Sequence, residues 1–528
     1  MSGPRIKLFL MVCMVGLFCA GAASAATLIS GIVFDDENRN RQWDASEMGI
    51  ESVPVSNGRD IVLTDAFGRY EIEAPEHGAI FVIKPANWAT HTDDLMRPQF
   101  YYMHKPDGSP EQKYSGSDPT GELDESVNFP LYRNLEKGRF HALLFGDTQP
   151  DDQREIDFVA HDVIDELIGV EASFGVVLGD VLNDDLSLFD SLSGTMATLG
   201  LPMYYVLGNH DMNYDSPGDH LANESFEAAF GPSYYSFNIA QVHFVVLDNV
   251  HWRGEVTDPD AWEGGNYIAG LGRDQLHFLS QDLRLVHPDR LVVLMMHIPF
   301  NHPWDENEKA ELFRIIAHRK KCMSLAAHAH YMEHDFVTAA EGWPGEDEHH
   351  QYINPTVCGS WWTGTPDEVG IPHTTMRDGS PNGSTLAFFE GPNYRLDFLP
   401  ARRPESYQMN IWAPEEVHID DRGVSEFFVN VFAGSERSKV EFRMNGETQW
   451  RPMKRLAAPD PYFVEMTATQ GSEDIPYGVR TPRPRNLVPH LWSAVIPEVR
   501  TPGSRVIEVR EHNMWGRIHE ARRNIRFK

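Results

Sequence analysis

The chain has 528 residues, more than one hydrophobic core accommodates, since single cores rarely grow past about 250–300 residues. Its 45 Lys and Arg against 78 Asp and Glu give a formal net charge of −33, which disfavours nucleic acid as a partner, because a basic stripe is needed to displace counterions from phosphate. Charge of this sign suits a well-solvated surface in an external or saline medium, and it bears on solubility rather than on fold.

At the start, Arg5 and Lys7 precede an apolar run from Leu8 to Gly21 and an Ala23-Ser24-Ala25 cleavage signal, the pattern of a secretory signal peptide over residues 1–25. The run is shorter than the ~20 residues of a membrane span, and Val12 and Phe18 before Cys13 and Cys19 do not suit a lipid-anchor site. An exported chain, periplasmic or extracellular, is expected, without a transmembrane anchor after cleavage. It keeps Cys322 and Cys358, read as buried free thiols or as a disulfide formed in an oxidising compartment, and in neither case as catalytic.

Residues 26–90 alternate in short runs, such as Ile61 to Thr64 and Tyr70 to Ala74, broken by Asp, Gly and Pro, which predicts a small β-sandwich. Within it, Asp36, Asn38, Asn40, Asp44 and Glu47 fall at positions one, three, five, nine and twelve of a candidate calcium loop, with Gln42 at the backbone-ligand position. Arg41 occupies the sixth position, where such loops usually need Gly. The phrase from Gly31 to Ile50 resembles the repeat of calcium-bound B-type sandwich domains. Residues 91–136, rich in Pro, Gly, Asp, Tyr and Lys, read as a connector.

Residues 137–400 carry five motifs, each after an apolar run: Gly146-Asp147-Thr148-Gln149, Gly179-Asp180 with Asn183 and Asp184, Gly208-Asn209-His210-Asp211, His297, and His328-Ala329-His330. Continuous apolar runs suit strands covered on both faces, and α/β sheets place ligands just past strand carboxyl ends. Spacing of Ile156, Val159, Val163, Ile164 and Leu167 predicts a helix from Gln153 to Ile168. His349 and His350 lie in an acidic, Gly-rich stretch and read as a solvated loop. Aromatic and basic residues between Gly359 and Gly383, namely Trp361, Trp362, His373, Arg377 and Asn382, make a candidate substrate-facing loop or a packed brace. A linker over 401–415 and strand-like segments in 416–528, among them Glu426 to Val431, Lys439 to Met444 and Arg505 to Arg510, predict a C-terminal β-sandwich.

In order and spacing, the five motifs resemble the calcineurin-like metallophosphoesterase superfamily, over about residues 140 to 335. The N-terminal phrase and the segments from Val440 to Gly446 and from Glu511 to Gly516 look like the accessory modules of its three-domain bacterial members. The resemblance implies an α/β, layered (α+β) core with β-sandwiches on both sides. It also implies two divalent ions (manganese, iron or zinc): one held by Asp147, Gln149, Asp180 and His330, the other by Asp180, Asn209, His297 and His328. Two cations about 4 Å apart neutralise a phosphate ester and activate a shared water, which would attack it as hydroxide. His210 is the expected general acid, oriented by Asn183, Asp184 or Asp211. Gln149 stands where His is commoner, and a neutral oxygen ligand favours manganese, magnesium or iron(II) over zinc. Ala327 replaces a usual Gly. The expected activity is hydrolysis of phosphate mono- or diesters; the alternative is a cell-surface binding protein using the same fold as a scaffold.

Overall fold

The computed structural model describes residues 27–256, 263–420, 424–470 and 483–528; the expected signal peptide lies outside these. Among the described residues no helix is long and apolar enough to cross a membrane.

In the catalytic region the apolar runs become strands that match the reading closely: Arg139–Phe145, Phe174–Leu178, Met203–Val206, Leu291–Met295 and Cys322–Ala326. The first three are parallel neighbours in one sheet, which Gly383–Glu390 and Asn393–Pro400 extend with antiparallel pairing. The other two pair in parallel in a six-stranded sheet between Val242–Val246 and His349–Ile353. Side chains alternate across each strand. Ala142, Leu144, Val176, Leu178 and Val206 share one core with Phe244, Val246, Val293, Met295 and Leu325, so the sheets pack face to face. Leu143, Phe145 and Val177 point the other way, towards Ile156, Val159, Leu192 and Met196 of the helices, and Val292 and Leu294 belong to the same outer core as Leu276, Leu279, Leu312 and Phe313. Helices therefore cover both outer faces, which is why these strands have no polar side.

The helix expected from Gln153 runs to Leu167 but widens to a π-turn over Ala160–Ile164, with Asp152 capping its start. Asp162, in that turn, is buried and accepts from Asn382 Nδ2 at 2.6 Å.

Two readings need correction. Residues 91–136 supply strands Pro98–Gln99, Tyr101–His104 and Phe129–Arg133 to the two N-terminal sheets, with Val33 paired in parallel to Phe129 and Ile80 opposite Tyr102. Their partners lie far away in sequence, and strands this short and broken by Pro carry little periodicity. His349 and His350 are buried on a strand and not in a solvated loop. His350 Nδ1 meets the Tyr394 hydroxyl at 2.6 Å and its Nε2 meets His334 Nδ1 at 3.0 Å, while His349 contacts the Ser324 hydroxyl. Their flanking acids mark the end of the loop, and the strand begins at His349.

In the C-terminal region, strands including Glu426–Val431 and Val488–Val495 form a four-stranded sheet, and Lys439–Met444, Gly503–His512 and Ile518–Phe527 belong to a five-stranded one. Phe427, Val429, Phe442, Trp492, Ile507 and Val509 fill the core they share. This unit is tied to the catalytic region by buried polar contacts: His490 Nε2 lies 3.2 Å from Asp378 Oδ2, and Asn430 Nδ2 donates to the Asp378 carbonyl at 2.7 Å.

Candidate metal centre

Past the carboxyl ends of the five strands the chain turns sharply, and six side chains there sit on left-handed backbone: Asp147 (φ 37°), Gln149 (43°), Asp180 (48°), Asp184 (74°), His328 (67°) and His330 (54°). Non-glycine residues in this region cost about 1–3 kcal/mol each, and such strain persists where surrounding structure fixes it, most often at functional sites. The motif glycines make the close approaches possible. A Cβ on Gly208 would lie 2.0 Å from the Asp180 backbone nitrogen, and one on Gly179 would lie 2.4 Å from His297 Nδ1. Ala327 is tolerated because His328, not Ala327, takes the left-handed turn.

These turns bring the seven expected ligands into one buried cluster. His297 Nε2 lies 3.2 Å from Asp180 Oδ1, 3.2 Å from Asn209 Oδ1 and 3.1 Å from His328 Nδ1. Asp180, His297 and His328 offer ligand atoms all within 4.8 Å of one another. Beside them, His330 Nε2 lies 3.8 Å from Asp147 Oδ1, and Gln149 Nε2 lies 3.4 Å from Asp180 Oδ2.

Three features fit cations here. Asp147 Oδ1 is buried with no hydrogen-bond partner among the described residues, a costly state for a carboxylate that a cation would relieve. His297 Nδ1 lies 2.9 Å from the Leu178 carbonyl and His330 Nδ1 lies 2.7 Å from that of Gly359. Each carbonyl accepts a hydrogen bond from Nδ1–H, the tautomer that leaves the Nε2 lone pair for a metal, the usual second tie of a metal-binding imidazole. Finally, burial and the Asp180 charge push Asp147 well above the usual carboxylate range. Burial also raises Asp180, but His297 and His210 outweigh it and hold that carboxyl below its ordinary value. Burial lowers His297, yet Asp180 lifts the ring to about 9, while burial depresses His328 and takes His330 down to about 4. Opposed shifts of this kind mark a cluster of like and unlike charges packed out of water.

Gln149 is turned with its Nε2 towards Asp180 and its Oε1 towards the Cys358 thiol, 3.5 Å away. Coordination through oxygen requires the amide to rotate, exchanging the two ends. Cys322 and Cys358 are both free, and burial raises the Cys358 thiol, keeping it protonated.

The partner of His210 is now selected. Its Nδ1 lies 2.7 Å from Asp184 Oδ1, and its backbone nitrogen donates to Asp180 Oδ1 at 3.0 Å. Asp211 instead accepts from the backbone nitrogens of Val181, Leu182 and Gly208, holding two motif turns together. Asn183 donates to Asp151 Oδ1 at 2.6 Å, away from the ring. Tyr214, not singled out from sequence, bridges Asp184 Oδ1 at 2.6 Å and the Asn209 carbonyl at 2.9 Å.

The aromatic loop divides between surface and brace. Trp361 is 37% exposed and stacks on His330 with ring centroids 4.0 Å apart. Trp362 is buried, its Nε1 donating to the Thr148 carbonyl at 3.1 Å, and Asn382 is buried against Asp162 and the Val357 carbonyl; both brace the turns. His373 is exposed, whereas Arg377 is half-buried and donates its backbone N–H to the His330 carbonyl at 2.8 Å. Sequence reading missed His302, whose ring centroid is 5.1 Å from that of His328; it lies five residues after His297, within reach of the same strand end.

The N-terminal loop is also assembled. Asp36 is buried and accepts from the backbones of Asn40 and Arg41, and Asn38 and Asn40 Oδ1 accept from Asn40 and Gln42 N. Arg41 takes φ 64°, the conformation a glycine would supply, and its guanidinium is anchored on the Thr92 carbonyl at 2.8 Å. Glu47 is buried and its Oε1 has no partner among the described residues. Asn38 and Asn40 turn their Nδ2 atoms to Asp44, so coordination would need these amides reoriented.

Family models match on both sides of the metal centre: the N terminal of calcineurin-like phosphoesterase at residues 37–115 and the C terminal of calcineurin-like phosphoesterase at 351–519. The chain thus carries the N- and C-terminal domains of calcineurin-like phosphoesterases on either side of its core. It is thus an enzyme of phosphoric ester hydrolysis with an α/β core flanked by β domains, and the family implies divalent metals and phosphate ester substrates. No curated protein matches the chain by sequence. Among solved structures it is similar to a purple acid phosphatase, PPD1, from yellow lupin (Lupinus luteus) seeds. That match has 11% identity and a TM-score of 0.36 and covers 66% of this chain and 67% of that one.

Proposed function

We propose that this protein is an exported phosphoesterase acting on mono- or diesters with two divalent ions, held by Asp147, Gln149, Asp180 and His330 and by Asp180, Asn209, His297 and His328. The observation that carries the reading is the imidazole of His210, tied to Asp184 and set against a buried donor cluster containing an unpartnered Asp147 oxygen. Divalent cations bound there supply charge neutralisation and a lowered pKa for the attacking water. The chain's own work is positional and protonic. Leu178 and Gly359 fix the His297 and His330 rings, and Asp184 fixes His210 so that Nε2 carries the proton for the leaving oxygen. Burial lowers the His210 pKa but Asp180 and Asp184 raise it further, which favours the protonated ring. Gln149, a neutral oxygen donor, biases its site towards manganese or iron(II). Calcium in the loop from Asp36 to Glu47 is a second, structural role, supported by the Arg41 turn and the unpartnered Glu47 oxygen.

The test is a screen of aryl phosphate mono- and diesters with protein reconstituted separately with manganese, iron(II) and zinc. Metal-dependent turnover is expected; a protein that binds no transition metal and turns over neither class would be a scaffold instead. Detection of a mature amino terminus near Ala26 in the exported fraction tests the export reading.

A further inference from the structure

The C-terminal sandwich reaches the rim of the metal centre. Arg485, just before its strand Val488–Val495, lays its guanidinium over the Tyr331 ring, 3.5 Å from the centroid, and its backbone nitrogen donates to the Arg377 carbonyl at 2.7 Å. Tyr331 directly follows His330, and its hydroxyl lies 3.5 Å from His302 Nε2, which in turn packs on His328. The backbones of Arg377 and Arg485 thus meet where the loop and the sandwich join, with Arg377 N bonded to the His330 carbonyl.

Their pairing is incomplete. Glu333 Oε2 takes Arg485 Nη2 at 2.8 Å, but Nη1 is buried with no acceptor. For the half-buried Arg377 side chain, no carboxylate partner occurs among the described residues. Several arginines of the sandwich are matched to acids, as Arg443 is to Glu508, Arg510 to Glu441 and Arg437 to Glu348, while Arg451 Nη1 and Arg523 Nε, like Arg485 Nη1, are buried without an acceptor. A guanidinium N–H kept from water without an acceptor is unfavourable, and its planar fork suits phosphate oxygens. Position is fixed by the sandwich itself, since His490 on the same strand binds Asp378, the residue after Arg377.

We propose that Arg377 and Arg485 form a second phosphate-binding subsite, so that the preferred substrate carries another phosphate beyond the one hydrolysed. The inference rests on the phosphoesterase reading above and adds a substrate class and a role for the C-terminal sandwich. Both arginines fall within the stretch matched by the family's C-terminal model, which joins loop and sandwich.

The experiment uses non-hydrolysable ligands and the full metal-loaded chain. Calorimetry compares methylphosphonate with alkane bisphosphonates whose linkers run from two to six carbons. Charge-assisted contacts predict that the best bisphosphonate binds roughly ten- to a hundredfold more tightly than methylphosphonate. In Arg485→Met, which keeps an apolar stem on Tyr331, and in Arg377→Met, that ratio should collapse towards one. Arg485→Lys should keep part of it, and Arg437→Met, a change at a different interdomain contact, should keep all of it. A parent ratio near one, or an equal loss in the Arg437 and Arg485 variants, overturns the subsite. Metal-dependent binding of methylphosphonate and turnover of p-nitrophenyl phosphate report separately on the phosphoesterase reading: if these persist without a bisphosphonate advantage, only the subsite falls, and if they are absent both do.

Discussion

The loop from Asp36 to Glu47 and the centre around Asp180 collect ligand atoms in opposite ways. In the loop, five oxygen-bearing side chains come from twelve consecutive residues, and the turn is held by side chain-to-backbone bonds such as Asp36 to Asn40 and Arg41. At the centre, two sheets supply the candidate ligands from Asp147 to His330, five of the seven on left-handed turns and most fully buried. A local loop needs only its own sequence and binds a hard cation through oxygens. A centre assembled from strand ends needs the whole core first. In return it can exclude water and place imidazoles against carboxylates, which is what shifts the pKa values of His297, His330 and Asp147 in opposite directions.

The largest expected effect belongs to the core. His210→Ala should lower turnover of a substrate with a poor leaving group by about 10²- to 10⁴-fold while metal content stays at the parent level. Unchanged turnover would remove His210 from proton transfer and leave the two sites differing only in burial. Next is Gln149. Gln149→Ala should lower occupancy of one ion and leave the other, with Asn209, His297 and His328, in place; Gln149→His should tighten zinc at the first site. Elemental analysis of both beside the parent decides it, equal stoichiometry and equal metal preference showing that the amide is not a ligand.

For the loop, saturating calcium should raise the stability of the full chain by about 2.7 kcal/mol at a hundredfold excess over its dissociation constant, provided the N-terminal sandwich unfolds with the rest. Glu47→Gln should remove most of the gain. A melting curve indifferent to millimolar calcium in both proteins would return the loop to an acidic turn.

Smaller effects follow from buried histidines. His334 and His349 are pushed down to about 3, by burial first and for His334 also by His490. Because the folded pKa lies below the unfolded value near 6.5, the stability involved is complete above that pH and is lost as pH falls towards 3. The slope is up to about 1.4 kcal/mol per pH unit for each ring. Urea titrations at several pH values should show it, and His349→Gln should flatten it; an unchanged slope would mean the ring is not buried neutral. Last, kcat/KM should fall as pH rises through the raised His210 pKa, where the proton is lost. Asp184→Asn should move that limb to lower pH by roughly one unit, since a neighbouring charge is removed. A limb that stays in place would assign it to another group.

The motif strands were legible because strands buried on both faces must be apolar throughout, and the ligand-bearing turns follow them directly. The candidate ligand residues were equally legible, since Asp147, Asp180, Asn209, His297, His328 and His330 each sit just past such a run and the fold brings them together. The signal for the loop at Asp36 was local as well, although Arg41 argued against a turn that its anchor on Thr92 in fact stabilises. Other assignments had no local signature. That Asp184 rather than Asn183 or Asp211 holds His210 depends on turns whose left-handed residues are not glycines, so nothing in the text announces them. Trp361 and Trp362 are adjacent and alike in chemistry, yet one stacks on His330 and the other is buried against Thr148. His349 and His350 follow an acidic loop but pair with a strand that only the folded sheet provides. Arg485 comes beside Arg377 solely because the C-terminal sandwich docks on the loop through His490 and Asp378. The sequence by itself determined which atoms could bind metal and where strands end, since both follow from side-chain chemistry and local apolar runs. Partner choice and the reach of one domain into another's site were decided by tertiary structure, because they depend on distances between segments that are far apart along the chain.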